Sequence, residues 1–256
     1  RLSRGLGDVY KRQKMDMPIF LSPTAMQSLY HPDGDKASAR AAEKFGTIYS
    51  MSTMASFSIE EIANLSSGPK IFQLYIHKDQ SITDDLIDRC KRANFNGMCI
   101  TVDTIVAGNR ERDHRTGFTT PPKFTLDSLM SFAMRPQWVF NYFTNKKFEL
   151  ANLKDKVEKG TTIAQSVMGY INEQYDPAMN WRDAEYCIKK WDGPIALKGV
   201  MSVEDAKKAI DIGCTAIMIS NHGGRQLDGS RSPFDQVKAI RAVSYTHLRA
   251  HETIAD

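Results

Sequence analysis

Long hydrophobic runs are missing from this sequence, since no segment of its 256 residues approaches 18 consecutive apolar residues, the length of a membrane-spanning helix. The first ten residues, RLSRGLGDVY, also lack the apolar stretch of a secretory signal peptide. Cysteine is scarce and forms no Cys-x-x-Cys pair, so we expect reduced, structural thiols and a cytoplasmic protein. The four cysteines are Cys90, Cys99, Cys187 and Cys214.

A strong net charge is also absent. The formal charge is +4, and residues 1–13 carry four basic residues against one acidic residue. The remaining chain is close to neutral, so no nucleic-acid partner is predicted. The composition, 41% hydrophobic and 25% charged, is that of an ordinary globular protein. The length suits one α/β barrel or two smaller domains.

What the sequence does contain is an alternation of short apolar runs with amphipathic segments. The runs are nearly continuous in apolar residues, as strands buried in a parallel α/β sheet require. No nucleotide-binding glycine fingerprint follows the first strand, which favours a barrel while leaving a doubly wound sheet as the alternative. The predicted strands are Ile19–Ser22, Ile48–Ser52, Ile71–Ile76, Met98–Val102, Ile195–Lys198 and Ala216–Ser220.

Helix-start signals precede several segments between these strands. Ser58-Ile59-Glu60-Glu61 forms a capping box, Asn180 is an N-cap residue, and Ser232-Pro233 places proline at the first helical position. These signals predict that each strand is followed by a helix, apart from one long interruption. The helices predicted from apolar spacing are Asp35–Phe45, Thr83–Ala93 and Ser202–Ile212.

The interruption is the segment 104–179, which follows the fourth predicted strand. It is too long for a plain connection between a strand and a helix. It contains Pro121-Pro122, the apolar segment Leu126–Ala133 and the aromatic residues Trp138, Phe140, Tyr142 and Phe143. One interpretation is an insertion that packs on its own barrel. The other is a lid, or a surface that meets a membrane or a redox partner.

Polar residues stand where the predicted strands end, which is where barrel enzymes carry their catalytic groups. His222 follows the strand Ala216–Ser220, and a histidine there can take a proton near neutral pH. Arg225, three residues later, offers a guanidinium fork to a carboxylate or phosphate. A polar turn with a satisfied histidine is the alternative interpretation. Asp103, Tyr75 and Lys198 stand at or near other strand ends and would converge on the same mouth.

The motifs at these strand ends resemble those of the FMN-dependent α-hydroxy acid dehydrogenase/oxidase family, over about residues 17 to 243. The resemblance implies a (β/α)8 TIM barrel, truncated here to about six βα units, with a long insertion after the fourth strand. Arg135-Pro136-Gln137-Trp138 and Asn180-Trp181 in and after the insertion are most similar to the bacterial respiratory L-lactate dehydrogenase branch. The matching motifs are Ser22-Pro23-Thr24-Ala25, Gln73-Leu74-Tyr75, Thr101-Val102-Asp103, the segment 108–113, Lys198-Gly199-Val200 and SNHGGRQLDG, residues 220–229.

The resemblance implies a role for each matching position. His222 would be the active-site base, Asp103 would pair with the imidazolium, and Lys198 would lie beside flavin N1 and C2=O, where negative charge accumulates on reduction. The catalytic residues would then be His222, Asp103, Tyr75, Arg225 and Arg110, with Tyr75, Arg110, His222 and Arg225 also binding the substrate. The cofactor-binding residues would be Thr24, Ala25, Ser52, Gln73, Thr101 and Lys198.

The implied activity is the FMN-dependent oxidation of L-lactate, or a similar L-2-hydroxy acid, to the 2-oxo acid. A hydride would pass to flavin N5 with His222 as base, and electrons would pass onward to a quinone or cytochrome. The alternatives are a 2-hydroxy acid oxidase, such as a glycolate oxidase, that uses oxygen, and an inactive barrel fragment. The resemblance also implies a homo-tetramer when full length. The insertion suggests peripheral contact with the inner face of the cell membrane.

Both ends of the chain depart from the family pattern. RLSRGLGDVYKRQ and VSYTHLRAHET resemble translated sequencing adaptors, so we expect residues 1–13 and 244–256 to be non-native flanks around a partial barrel over 14–243. A divergent terminus is the alternative. The family's phosphate-binding motif is absent after Val243, so this chain of 256 residues is expected to bind FMN weakly or not at all. His247 and His251 have a zinc-like spacing but no third ligand, so no metal site is predicted.

Overall fold

Buried apolar and small polar residues form one parallel sheet, whose strands are neighbours in chain order. The computed structural model describes residues 15–17, 19–104, 108, 111–116, 125–145, 149–153, 174, 176–227, 229–244 and 247–250. The strands are β1 (Tyr49–Ser52), β2 (Lys70–Leu74), β3 (Gly97–Thr101), β4 (Ile195–Val200), β5 (Ala216–Ile219) and β6 (His247–Ala250).

Helices connect the strands, and most begin where the sequence places a capping residue. The Ser58 side chain accepts a hydrogen bond from the Glu61 amide while the Glu61 carboxylate accepts one from the Ser58 amide, and Asn180 and Asp183 repeat this arrangement. The helices described are α1 (Gly34–Lys44), α2 (Ile59–Leu65), α3 (Gln80–Arg92), α4 (Glu111–Thr116), α5 (Leu126–Ala133), α6 (Pro136–Thr144), α7 (Trp181–Trp191), α8 (Val203–Asp211) and α9 (Pro233–Val243).

The sheet has one face toward the helices and one toward the barrel interior. Large apolar side chains on the outer face, such as Phe72 and Leu197, pack against the helices in the main core. The inner face carries a smaller apolar cluster made of strand residues. Parallel strands in chain order with helices outside are the arrangement of a (β/α)8 barrel, so the predicted truncated barrel is confirmed. The inner cluster comprises Ile48, Ile71, Cys99, Ala196, Ala216 and Met218.

Two strand predictions were wrong. Ile19–Ser22 forms only an isolated bridge between Leu21 and Tyr49, because Pro23 has no amide hydrogen with which to continue the ladder. His247–Ala250, expected to continue no pattern, lies parallel to β5 as β6, where α9 returns the chain to the sheet edge. The described part of the chain therefore contains six strands, as many as predicted, but His247–Ala250 takes the place of Ile19–Ser22. The expected non-native origin of residues 244–256 stays a prediction, and residues 1–13 lie outside the described part of the chain.

The described parts of the insertion are anchored on the barrel. The indole Nε1 of Trp138 donates a hydrogen bond of 2.9 Å to the carbonyl of Leu29, and the ring stacks between Phe132 and Tyr142. These contacts support the interpretation that the insertion packs on its own barrel. None of the described helices is long and apolar enough to cross a membrane.

A second described part of the insertion is fixed by Asn152. Its Oδ1 accepts a hydrogen bond of 2.9 Å from the Ile59 amide at the start of α2, and its carbonyl accepts one of 3.1 Å from Arg89. Arg89 also donates two hydrogen bonds to Glu60, which lower the pKa of that carboxyl to about 2. The segment 149–153 is therefore held against α2 and α3 by charge-assisted contacts.

The four cysteines are buried and free. Burial raises the pKa of Cys99, Cys187 and Cys214 to about 12, so these thiols stay protonated near neutral pH. They are structural residues of the core, as expected.

His77, which follows β2, makes stability depend on pH. Its side chain is buried, and burial lowers the pKa of His77 to about 4. Between pH 6.5 and 4 the unfolded chain binds a proton that the folded chain does not, so the free energy of unfolding falls as the pH is lowered. We expect this loss to approach about 3 kcal/mol at pH 4, and His77→Gln to remove it, in urea unfolding curves.

The matched variant His31→Gln removes an exposed histidine and is expected to keep the wild-type pH dependence. Identical pH dependence in wild type and His77→Gln would contradict the assignment.

Candidate active site

Polar side chains at the carboxyl ends of the first three strands form a hydrogen-bonded row. Ser52 Oγ donates to Gln73 Oε1 at 3.1 Å, and Gln73 Nε2 donates to Thr101 Oγ1 at 2.9 Å. All three side chains are buried. Because parallel strands end at the same edge of a sheet, residues far apart in sequence meet here. The structure thus brings together three of the residues expected to bind the cofactor.

Three ionisable side chains meet beside this row. His222 Nδ1 lies 2.9 Å from Asp103 Oδ1, and Lys198 Nζ lies 3.8 Å from Asp103 Oδ2 and 3.5 Å from His222 Nδ1. The side chains are 23%, 13% and 7% exposed for His222, Asp103 and Lys198, so the charges are largely removed from water. The group joins the ends of β3 and β4 to the turn after β5.

The contact between His222 and Asp103 fixes the chemistry of the imidazole. A carboxylate accepts hydrogen bonds only, so Nδ1 of His222 donates its proton to Asp103. The other ring nitrogen, Nε2, then carries the lone pair and can accept a proton. Lys198 is a donor as well, so its approach to Nδ1 is a close contact rather than a second hydrogen bond on that atom. The arrangement is that of a general base backed by a carboxylate.

The turn that presents His222 is held by its neighbours. His222, Gly223 and Gly224 have φ values of 59°, 65° and 68°, and the left-handed region costs a residue other than glycine about 1–2 kcal/mol. Asn221 Oδ1 accepts a hydrogen bond of 3.1 Å from the Gly224 amide, and Ser220 Oγ accepts one of 3.1 Å from the His222 amide. These two bonds hold the turn in the strained conformation.

Asn221 and Ser220 belong to the recognised motif, but the sequence assigned them no role. Asn221 Nδ2 also donates to Ser230 Oγ and to the carbonyl of Arg231, each at 3.2 Å. An asparagine beside glycines is a turn signal, and that signal could have identified it. Thr53 was missed as well, and its hydroxyl accepts a hydrogen bond of 3.1 Å from the Tyr75 amide.

The remaining predicted residues differ in their exposure. Tyr75 is half-buried just after β2, Thr24 is exposed, and Ala25 is half-buried. Arg225 has an exposed side chain, and its backbone touches Gly108, where a Cβ would come within 1.9 Å of the Arg225 carbonyl oxygen. This approach brings the start of the insertion to the histidine turn. Arg110 lies outside the described residues.

The chemistry of these side chains fits an FMN ring, whose edges carry carbonyl and nitrogen atoms that accept or donate hydrogen bonds. Lys198 offers a buried ammonium, and Gln73 and Thr101 offer buried amide and hydroxyl groups. Asp103 Oδ2 is buried and has no hydrogen-bond partner among the described residues, so it can still accept a hydrogen bond from a bound molecule. The ammonium group of Lys198 would stabilise negative charge on a bound flavin.

Comparison with known proteins places this site in a family context. A sequence profile described as FMN-dependent dehydrogenase matches residues 12–250. Glycolate oxidase 1 from Oryza sativa subsp. indica is 37% identical over 215 residues, which cover 84% of this chain and 52% of the relative. L-lactate dehydrogenase from Yersinia pestis (strain Pestoides F) is 36% identical over 225 residues, which cover 88% of this chain and 58% of the relative.

Solved structures give the same grouping. The crystal structure of the monotopic membrane protein (S)-mandelate dehydrogenase superposes with a TM-score of 0.86 at 29% identity, covering 94% of this chain and 63% of that chain. Mandelate oxidase with (S)-4-hydroxymandelic acid gives a TM-score of 0.76 at 32% identity, covering 94% of this chain and 62% of that chain. The chain spans about half the length of the curated relatives that it matches.

The hydrogen bonds of Asn221 predict a local stability effect. Asn221→Ala removes the side-chain acceptor of the Gly224 amide and leaves the Asn221 carbonyl at 3.1 Å, at a cost of about 0.5–1.5 kcal/mol, so hydrogen exchange of that amide should accelerate about two- to tenfold. Asn221→Asp keeps the oxygen acceptor and should leave the exchange rate of that amide close to the wild-type rate. NMR-detected exchange measures both variants. An unchanged rate in Asn221→Ala would contradict the assigned contact.

Proposed function

The chain belongs to the FMN-dependent dehydrogenase family, and on that basis we propose that the full protein oxidises an L-2-hydroxy acid, with L-lactate as the leading substrate, to the 2-oxo acid. The observation that carries the proposal is the hydrogen bond of 2.9 Å between His222 Nδ1 and Asp103 Oδ1, beside the buried Lys198. A base prepared in this way suits removal of a hydroxyl proton.

FMN, when bound, supplies the acceptor for the two electrons that leave the substrate. The residues that would hold it are Ser52, Gln73, Thr101 and Lys198, with Thr24 and Ala25 beside them. The polar groups of Ser52, Gln73, Thr101 and Lys198 are buried and already placed by the strand ends, so little reorganisation accompanies binding.

His222 acts on the substrate hydroxyl in this proposal. Nε2 takes the hydroxyl proton while the α-hydrogen leaves with its electron pair and the C–O bond becomes a C=O bond. The imidazole becomes positively charged, and the Asp103 carboxylate stabilises that charge because the Coulomb interaction is strong in a site largely removed from water.

Binding of the substrate carboxylate falls to the arginines. Arg225 follows the His222 turn, and its guanidinium can form two parallel hydrogen bonds with a carboxylate. We assign Arg110 to the same anion and Tyr75 to a hydrogen bond with the substrate. Gly108 lies against the Arg225 backbone, which supports the placement of the insertion near this end of the substrate.

Two forms of this function, a dehydrogenase and an oxidase, differ in their electron acceptor. We favour a dehydrogenase that passes electrons to a quinone or cytochrome, because the motifs of the insertion resemble the respiratory L-lactate dehydrogenases and the relatives include an L-lactate dehydrogenase. An oxidase that uses oxygen is the second candidate, favoured by the 37% identity with a glycolate oxidase. The homo-tetramer implied by the resemblance stays a prediction.

Replacing the base tests the proposed chemistry. In the full-length protein, His222→Gln should keep FMN bound but reduce turnover by a factor of about 10²–10⁴ or more, because the hydroxyl proton loses its acceptor. Flavin absorbance measures binding, and reduction of a quinone-analogue dye measures turnover with L-lactate, glycolate and (S)-mandelate.

Oxygen consumption in the same assay separates the oxidase from the dehydrogenase. Undiminished turnover in His222→Gln would contradict the assignment of His222 as the base. Wild-type protein that carries FMN but turns over none of the three acids would contradict the proposed substrate class.

We propose that the insertion binds a membrane surface. The protein would be cytoplasmic and would contact the inner face of the cell membrane. Several apolar side chains of α5 and α6 are exposed to solvent, with Leu126 85% exposed and Phe143 79% exposed. Such faces bind in the interfacial plane of a bilayer. A relative in the structural comparison is itself described as a monotopic membrane protein. Met130, Met134 and Phe140 of the same two helices are exposed as well.

Vesicle binding tests this surface. Met130→Glu with Phe143→Glu should reduce by about tenfold or more the fraction of full-length protein that sediments with phosphatidylcholine–phosphatidylglycerol vesicles, because two charges would enter the acyl boundary. Phe45→Glu, at an exposed aromatic residue outside the insertion, should bind like wild type. Equal loss in both variants, or no binding by wild type, would rule out the surface.

A further inference from the structure

Strand β4 contains an irregularity at the point where Lys198 enters the site. Lys198 pairs with Met218 and Val200 pairs with Ile219, so two residues of β4 advance against one of β5. Gly199 is the extra residue, with a φ of +108° that side-chain-bearing residues rarely adopt. This arrangement is a β-bulge, a device that often redirects a side chain next to an active site.

The bulge changes which way the following side chains point. Ile195 and Leu197 pack in the outer core with the helices, while Ala196 belongs to the inner cluster, as alternation along a strand requires. Continued alternation would turn Val200 inward, but Val200 packs in the outer core. The extra residue therefore lets Lys198 point inward while the strand continues with its apolar residues outside.

Gly199 also lies directly against Asp103. A Cβ placed on Gly199 would come within 2.7 Å of Asp103 Cβ, 2.8 Å of Asp103 Cγ and 2.9 Å of the Asp103 amide nitrogen. Real Cβ atoms essentially never approach heavy atoms this closely, so either the side chain or the backbone of Asp103 would have to move. The Val102 amide donates a hydrogen bond of 2.9 Å to the Lys198 carbonyl, which ties the two strands together here and limits that movement.

We infer that Gly199 is a positioning residue of the active site: the space left by its missing side chain holds Asp103 against His222 while its bulge aims Lys198 at the same carboxylate. Gly199 has no side chain with which to bind a substrate or cofactor, and its effect on the site passes through Asp103. A displacement of 1 Å would lengthen the 2.9 Å contact between Asp103 and His222 beyond hydrogen-bonding distance. This inference rests on the proposed function for its catalytic consequence, but not for its geometric one.

The experiment compares two glycine-to-alanine variants of the full-length protein. Gly199→Ala adds a Cβ that collides with Asp103. Gly213→Ala adds a Cβ at a similar φ of +98°, where Ile188 Cγ2 at 3.6 Å is an ordinary contact. Backbone strain is therefore matched, and only the collision with Asp103 differs. Histidine labelled with ¹⁵N reports the His222 ring by NMR, with His222→Gln used to assign its signals.

We expect Gly199→Ala to lose the downfield Nδ1 proton signal of His222 and its Nδ1-protonated ¹⁵N pattern, as Asp103→Ala does, while Gly213→Ala keeps both. With L-lactate, kcat of Gly199→Ala should fall about a hundredfold or more below that of Gly213→Ala, and KM should change much less. An intact Nδ1 signal together with a kcat within twofold of Gly213→Ala would overturn the inference.

A second comparison decides the case in which Gly199→Ala does not fold. Asp103→Gly removes two of the three colliding atoms, so the double variant Gly199→Ala/Asp103→Gly should fold and melt within a few degrees of Gly213→Ala/Asp103→Gly, which carries alanine at a similar φ. A Gly199→Ala/Asp103→Gly variant that fails to fold while Gly213→Ala/Asp103→Gly folds would overturn the inference. Loss of the Nδ1 signal in an enzyme that turns over no 2-hydroxy acid would contradict the proposed function and leave the positioning role established.

Discussion

The hydrogen bond between His222 and Asp103 is the contact on which the rest of the site depends. It joins two residues that lie 119 positions apart in the chain, and it determines which ring nitrogen can accept a proton. A carboxylate and an ammonium share the same largely buried space, so each offsets part of the desolvation cost of the other. The strained turn positions His222 and the bulge at Gly199 positions Asp103, so both features help to set the 2.9 Å distance between His222 Nδ1 and Asp103 Oδ1.

The barrel supplies the constraint that makes such a contact reproducible. Parallel strands in chain order bring their carboxyl ends to one edge, so each strand delivers one or two polar groups to a common mouth. The buried outer core fixes the strands, and the row of Ser52, Gln73 and Thr101 is a direct result of that register. The site is precise because it is built on strand ends rather than on the insertion.

The sequence predicted the elements whose signals are local. The capping residues Ser58 and Asn180 and the buried strands were predictable because caps and apolar runs depend on neighbouring residues. The convergence of Asp103 and His222 was predicted from their positions at strand ends, because parallel strands of a barrel end at one edge, while their pairing followed from the resemblance to a family. The spacing role of Gly199 and the pairing of β6 depend on what lies across the sheet, so no local pattern reveals them.

The insertion between β3 and β4 has a consequence for the order in which the chain assembles. Most neighbouring strands are linked by a short helical connection, but Met98 and Ile195 pair across about a hundred residues. The equilibrium cost is small, because loop-closure entropy grows only logarithmically and adds about 1 kcal/mol over a connection one quarter as long. The kinetic cost is larger, since this pairing must wait for a distant segment. The pairing of β3 with β4 therefore joins two parts of the sheet, β1–β3 and β4–β5, and Asp103 and His222 come together only once it has formed.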